Sequence, residues 1–318
     1  MFRLLLAAVL WAPTAASLYA ADYCETNDFA DVIQRVDAYA QQQGGDRVLL
    51  VADIDNTLLA MDQDLGSDAW FEWQSFLLAN EPGSDKLVAD DFDGLLEAQG
   101  LLFTLGHMHP PQPEIPALVK QAQGLGVKTL LLTSRGPEFR PQTERELTRN
   151  GYAFGPTVLP MPGMPTGVFY PYDAQRPESV GLPRAYAEAC GLGDPRPVSF
   201  GSGVLMTSGQ HKGAMLRIAL HQSDADIAAV VYVDDHGRHV SRIDDALEDL
   251  GMPGAVFHYQ REDTNVDRFK YGDKAPVTEA WRRLSKAIEA AFPQAAPVGG
   301  GAVEAVPAEA RRPVAAGH

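Results

Sequence analysis

Cysteine is nearly missing: Cys24 and Cys190 are the only two in 318 residues, so at most one disulfide can form. In an oxidising compartment the two either pair, tying the N-terminal end to the body, or stay separate thiols; neither stands out as a nucleophile. Positive charge is scarce as well, with 26 Lys and Arg against 42 Asp and Glu and a formal charge of −16. Such a chain repels nucleic acid and anionic lipid, and neither is expected as a partner. No apolar run approaches the about 20 residues of a membrane-spanning helix, and no internal repeat is present. With 45% hydrophobic and 21% charged residues, the composition is that of a globular chain, which excludes a wholly disordered or collagen-like one.

The two ends read differently from the rest. Arg3, the apolar run Leu4 to Trp11 and the small residues Pro13 to Ser17 make residues 1–20 an expected signal peptide. The protein is therefore expected to be exported, periplasmic or secreted, with no membrane association after cleavage. From Phe292 the chain turns to Ala, Pro, Gly and Val, and 292–318 is expected to be a disordered tail. The folded domain is expected over 21–291. Its oligomeric state is left open.

Between the ends, continuous apolar runs alternate with helical patterns. Val48 to Ala52, Val127 to Leu132, Ile227 to Val233 and, more weakly, Ala255 to Tyr259 have the character of strands buried on both faces, with Gly203 to Met206 as a short addition. Helical spacing marks Phe29 to Ala40 (capped by Asn27), Glu114 to Gln123, Thr143 to Arg149, Arg184 to Cys190, Lys212 to Leu220, Val240 to Leu250 and Thr278 to Ala290. This alternation predicts an α/β domain with a mainly parallel sheet, whose ligands bind outside the carboxyl ends of the strands.

Chemistry-bearing residues gather at those ends. The first buried strand runs into Asp53-Ile54-Asp55-Asn56-Thr57, the second into Thr133-Ser134-Arg135, the third into Asp234-Asp235. Lys212 opens a helix after the polar loop Thr207 to His211. Carboxylates brought together oppose each other's ionisation unless a cation is present, and a hard dication such as Mg²⁺ suits oxygen ligands. A hydroxyl, a lysine and a metal held by carboxylates form a set suited to phosphoryl transfer, where positioning and charge neutralisation do the work. Any one of these residues alone is as well explained by a turn or helix cap.

Taken together, the chain resembles the haloacid dehalogenase-like (HAD) hydrolase superfamily. Asp53 to Thr57 is similar to its Asp-x-Asp-x-Thr motif, Leu130 to Thr133 to its second, Lys212 to its third and Asp234-Asp235 to its fourth. The segments Leu65 to Gln74, Leu132 to Gly136 and Thr207 to Gly213 further resemble a secreted bacterial branch catalogued as a domain of unknown function. The resemblance implies a Rossmann-like fold with helices on both faces and a small helical cap inserted at about 60–112. It implies Asp53 as nucleophile, Asp55 as acid and base, and Thr133 and Lys212 on the phosphoryl oxygens. Mg²⁺ would be held by Asp53, the Asp55 backbone and Asp235, with Asp234 in support. An acid at position 55 points away from dehalogenases and transport ATPases. The expected activity is thus an exported, Mg²⁺-dependent phosphatase acting on a small phosphorylated substrate through an aspartyl-phosphate. A silent binding protein and a phosphotransferase or phosphomutase are the alternatives.

The aromatics of the insertion, Trp70, Phe71, Trp73, Phe76 and Phe92 with Leu95 and Leu96, are expected to form chiefly its own core. The Pro- and Gly-rich stretch from Gly151 to Val198 is expected to add a loop or hairpin over the site. Arg135 and Arg140 either meet a substrate anion or form surface ion pairs. His236 and His239 are a loose match to a zinc pair, and His107 and His109 to an ordinary loop.

Overall fold

A computed structural model describes residues 21–292. The expected signal peptide, and the expected tail beyond Phe292, lie outside the described residues. The strands in chain order are β1 (Asp22–Thr26), β2 (Val48–Ala52), β3 (Ala60–Met61), β4 (Met108–His109), β5 (Lys128–Thr133), β6 (Val168–Phe169), β7 (Val198–Gly201), β8 (Val204–Met206), β9 (Ala229–Asp234) and β10 (Gly254–Tyr259). Eight of them form one sheet in the order β1-β10-β9-β2-β5-β8-β7-β6. The pairings from β1 through β8 are parallel, and β7 and β6 close the far edge antiparallel. A mixed α/β fold with a mostly parallel sheet, consistent with a Rossmann-like arrangement, is thus what the apolar runs foretold.

The continuous runs are explained by two-sided burial. Val48, Leu50 and Ala52 of β2 join a core with Phe29, Val32 and Val36 of α1 (Phe29–Gln43) and Ile115 and Val119 of a later helix. Leu49 and Val51 belong to the opposite core. Because successive strand side chains point to opposite faces, a strand covered on both sides must be apolar at every position. The other helices are α2 (Asp68–Asn80), α3 (Phe92–Leu105), α4 (Ile115–Gly124), α5 (Arg140–Arg149), α6 (Arg184–Ala189), α7 (Lys212–Gln222), α8 (Gly237–Leu250) and α9 (Asp263–Tyr271). Leu216 and Ile218 of α7 and Val240 and Ile243 of α8 supply the second core.

Several details differ from expectation. Asp28 rather than Asn27 caps α1, its carboxylate accepting from Ala30 N at 3.0 Å. Strand β1 was invisible as an apolar run because it lies at the sheet edge with β10 as its one neighbour and three exposed residues among its five. Cys24 and Cys190 are free and pack against opposite faces of the sheet, which leaves them no route to each other. The stretch from Gly151 to Val198 forms no hairpin of its own; it carries β6 and α6, and β6 extends the sheet beyond β7.

Between β2 and α4 the chain makes a long excursion. It leaves through β3 and returns through β4, which pair antiparallel (Ala60 opposite His109) and so close its base. The excursion carries α2, capped by Ser67, and α3, capped by Asp91. These two helices pack on each other, and α2 also meets α9. A second compact unit begins at Ala275. Its described part is α10 (Ala275–Ala291), amphipathic through Val277, Trp281, Leu284 and Ile288. No helix among the described residues is long and apolar enough to cross a membrane.

Candidate functional site

The central strands β9, β2 and β5 are neighbours, although β2 precedes both others in sequence. The sheet order reverses here, and their carboxyl ends frame a crevice. Asp53 follows β2, its N–H bonding Val233 O at 3.0 Å. The chain then turns sharply: Leu58 N and Leu59 N return to Ile54 O, and Asn56 adopts φ 54°, a left-handed conformation that Asn tolerates better than most residues. The turn is tied to the end of β9, where Asn56 Nδ2 donates to Asp235 Oδ2 at 3.1 Å and Asp235 N donates to Thr57 Oγ1 at 3.1 Å. Asp53, Asp55, Asp234 and Asp235 thereby meet at one end of the sheet.

Lys212 enters from the first turn of α7. Its Nζ donates to Asp53 Oδ1 and Asp234 Oδ2, both at 2.6 Å, and the side chain is 1% exposed. Burial acts to depress the lysine, but the Asp234 and Asp53 charges outweigh it and hold it protonated. For Asp53 burial prevails over Lys212, and its carboxyl is pushed up to about 7. Asp234 goes the other way: burial acts to raise it, and Lys212, with the Tyr232 hydroxyl that donates to it, holds it low. Burial, aided by the neighbouring Asp234 charge, pushes Asp235 up despite His236. One oxygen of Asp235 is buried without a hydrogen-bond partner. Oxygens of Asp53, Asp234 and Asp235 lie within 4.8 Å of one another.

Thr133 is at the end of β5 but faces inward. It is wholly buried, its hydroxyl accepts from Arg135 N at 3.1 Å, and its carbonyl accepts from Thr207. The next residue, Ser134, is the one that lines the cavity. That cavity, about 500 Å³, has Asp53, Asp55 and Lys212 on the sheet side and Asp68, Phe71 and Glu72 of α2 opposite. It abuts a second of about 710 Å³, lined by Phe92, Leu96, Phe103 and Phe139 among others. Of the insertion's apolar residues, Trp70 and Leu95 are buried, whereas Phe76 is exposed and Phe71, Phe92 and Leu96 face cavities.

Arg135 makes neither a surface ion pair nor a free anion site. Its side chain is 4% exposed and grips Asp55 with two bonds, Nε to Oδ2 at 2.9 Å and Nη2 to Oδ1 at 2.7 Å. Nη1 donates to Thr143 Oγ1 at 2.8 Å, and the guanidinium lies 4.1 Å over the Phe103 ring. Removing it strands Asp55 and uncovers an aromatic face. Arg135→Ala is expected to cost about 2–3 kcal/mol in urea denaturation, with Arg135→Lys recovering only part, because an ammonium cannot reproduce the fork. A loss under about 0.5 kcal/mol would show the pair to be incidental. Arg140 is structural, binding Ser199, Gly201 O and Val204 O to hold the β7–β8 hairpin.

Sequence reasoning missed the α2 side of the cavity. Asp68 and Glu72 stand one helical turn apart, and with His236 they form a second group whose ligand atoms lie within 4.8 Å. His236 Nε2 is 3.2 Å from Asp68 Oδ2, a bond that raises the imidazole well above its usual range. His239 is buried and pushed down to about 3, chiefly by burial and then by Lys212. The i, i+4 spacing of Asp68 and Glu72 was the available signal, but it is also common on solvated helix faces. His107 and His109 lie outside both cavities.

Neither a curated protein nor a solved structure matches the chain. Residues 25–294 match the family described as "Protein of unknown function (DUF2608)". The match begins within β1, runs through α10 and takes in all the residues of the crevice, and the chain belongs to that family.

Proposed function

We propose that the protein is an exported, Mg²⁺-dependent phosphomonoesterase of the HAD type. The observation that carries the reading is Asp53, buried at the end of β2 beside Lys212, with the Asp235 oxygen unpartnered and a cavity in front. The donor set fits Mg²⁺: three clustered carboxylates, one with a buried orphan oxygen, make an oxygen-only site for a hard cation. Asp53, Asp235 and the Asp55 backbone carbonyl would hold the ion, which neutralises phosphoryl charge when bound. Asp234, committed to Lys212, Tyr232 and His236 N, serves instead to orient the lysine.

The chain's own residues carry the steps. An Asp53 carboxylate oxygen attacks phosphorus, the bond to the alcohol oxygen breaks, and that oxygen takes a proton from Asp55. Asp55 then removes a proton from a water that attacks the aspartyl-phosphate, releasing phosphate and regenerating Asp53. Lys212 and the Ser134 hydroxyl bind phosphoryl oxygens, the role assigned from sequence to Thr133. The helices α2 and α3 exclude bulk water from the site.

The Arg135–Asp55 ion pair favours the second reading, a silent binding protein, because both oxygens of the proposed proton carrier are already engaged by the guanidinium. Phosphate release from a panel of phosphomonoesters, in millimolar Mg²⁺ and in EDTA, separates the two. Metal-dependent release supports the enzyme; no release from any ester with the fold intact supports the binding protein.

A further inference from the structure

The larger cavity differs in kind from its neighbour. Phe71, Phe92, Leu96, Phe103, Phe139 and Val168, with Pro137 and Pro197, make most of its surface apolar. The two cavities share Asp55, Ser134 and Gly209 on the sheet side and Asp68 and Phe71 on the α2 side, so one ligand can enter both. In its wall Phe103 and Phe139 pack edge to face at 5.4 Å, and the Arg135 guanidinium lies against the Phe103 ring. Its mouth is apolar yet open, with Phe92 52% and Val168 63% exposed. Side chains of this kind left in water at the edge of a cleft mark a surface that another apolar group covers.

Resting on the phosphomonoesterase reading, we infer that this cavity takes the alcohol part of the substrate and that this part is apolar, an alkyl or aryl group, rather than a sugar or a nucleoside. The volume supports a sizeable group, since an apolar cavity of about 150 Å³ already admits benzene. Beyond the shared edge its polar side chains, Gln99, Arg135, Glu138, Arg196 and Ser208, leave most of the wall's surface apolar, so a polyhydroxylated group would lose water here with little compensation. The charged end of the ligand is fixed by the carboxylate and lysine cavity, so the apolar end has one direction to take.

Alkylphosphonates test this, because their carbon–phosphorus bond is not cleaved and binding is read without turnover. Methyl-, butyl- and octylphosphonate are titrated calorimetrically into the full chain with Mg²⁺, alongside turnover of butyl and methyl phosphate. A methylene taken fully from water is worth about fourfold in affinity, so partial burial of three predicts butylphosphonate binding about tenfold tighter than methylphosphonate. Phe92→Ser and Val168→Ser, both at exposed positions, are expected to shrink that ratio to about threefold or less. Equal affinities, or a ratio unchanged in both variants, overturn the inference. A flat series with turnover of the esters leaves the phosphatase and removes the apolar pocket. A steep series with no turnover leaves the pocket and removes the phosphatase. Absence of both binding and turnover overturns the two together.

Discussion

Asp53→Asn protein is expected to lose phosphate release by about 10³-fold or more while keeping its melting temperature within a few degrees. The amide has nearly the shape of the carboxylate, and its oxygen still accepts the 2.6 Å bond from Lys212. Lys212 also retains Asp234, so no buried cation is left alone. Burial already opposes the charged form of Asp53, which is why its carboxyl sits at about 7, and a neutral amide relieves that opposition. Lost is the anionic oxygen able to bond to phosphorus, and no other group of the cavity replaces it at the end of β2. Phosphate release and thermal unfolding on one preparation check both halves. Retained turnover would remove Asp53 from the chemistry, and a collapsed melting temperature would make the lost activity uninformative.

Lys212→Met is expected to produce the largest stability loss in the molecule, about 3–5 kcal/mol, or roughly 10 °C in melting temperature. Methionine matches the stem of lysine but leaves two buried carboxyl groups, Asp53 and Asp234, without their shared cation. The sign with pH follows from the carboxyls. A carboxyl whose folded pKa lies above the unfolded value holds a proton that the unfolded chain has released, so stability falls as pH rises between the two. For Asp53 that window already extends to about 7, and loss of Lys212, which lowers it, widens the window upward. The variant's deficit is therefore expected to be smaller at about pH 5 than at about pH 8. Urea denaturation at the two pH values reads this directly. A deficit that does not grow with pH would mean the carboxylates find another partner.

The parts of the fold legible in the sequence are those set by two-sided burial. β2, β5, β9 and β10 announce themselves because nearly every side chain is buried, and the strand-end residues Asp53, Asp55, Asp234 and Asp235 converge, with Lys212 from the start of α7, because parallel strands share one carboxyl end. Edge strand β1 gives no such signal, since water covers part of it. The ion pairs between Arg135 and Asp55, 80 residues apart, and between His236 and Asp68, 168 apart, are equally hidden. They depend on how β5 sits beside β2 and how α2 folds back over the crevice, and neither is encoded in local spacing. Thr133 and Ser134 illustrate a finer point: which of two adjacent hydroxyls lines the cavity is decided by the strand's pleat at its last residue, and a sequence motif does not report it.

The most direct measurement is chemical trapping of the intermediate. Full-length protein turning over a phosphomonoester with Mg²⁺ is quenched in acid and treated with borohydride, which reduces an aspartyl-phosphate to homoserine, and the peptide spanning Asp53 is sequenced by mass spectrometry. The account predicts homoserine at position 53, dependent on substrate and absent from Asp53→Asn protein. Steady phosphate release with unmodified Asp53 throughout, or with homoserine at Asp55 or Asp235 instead, would contradict it.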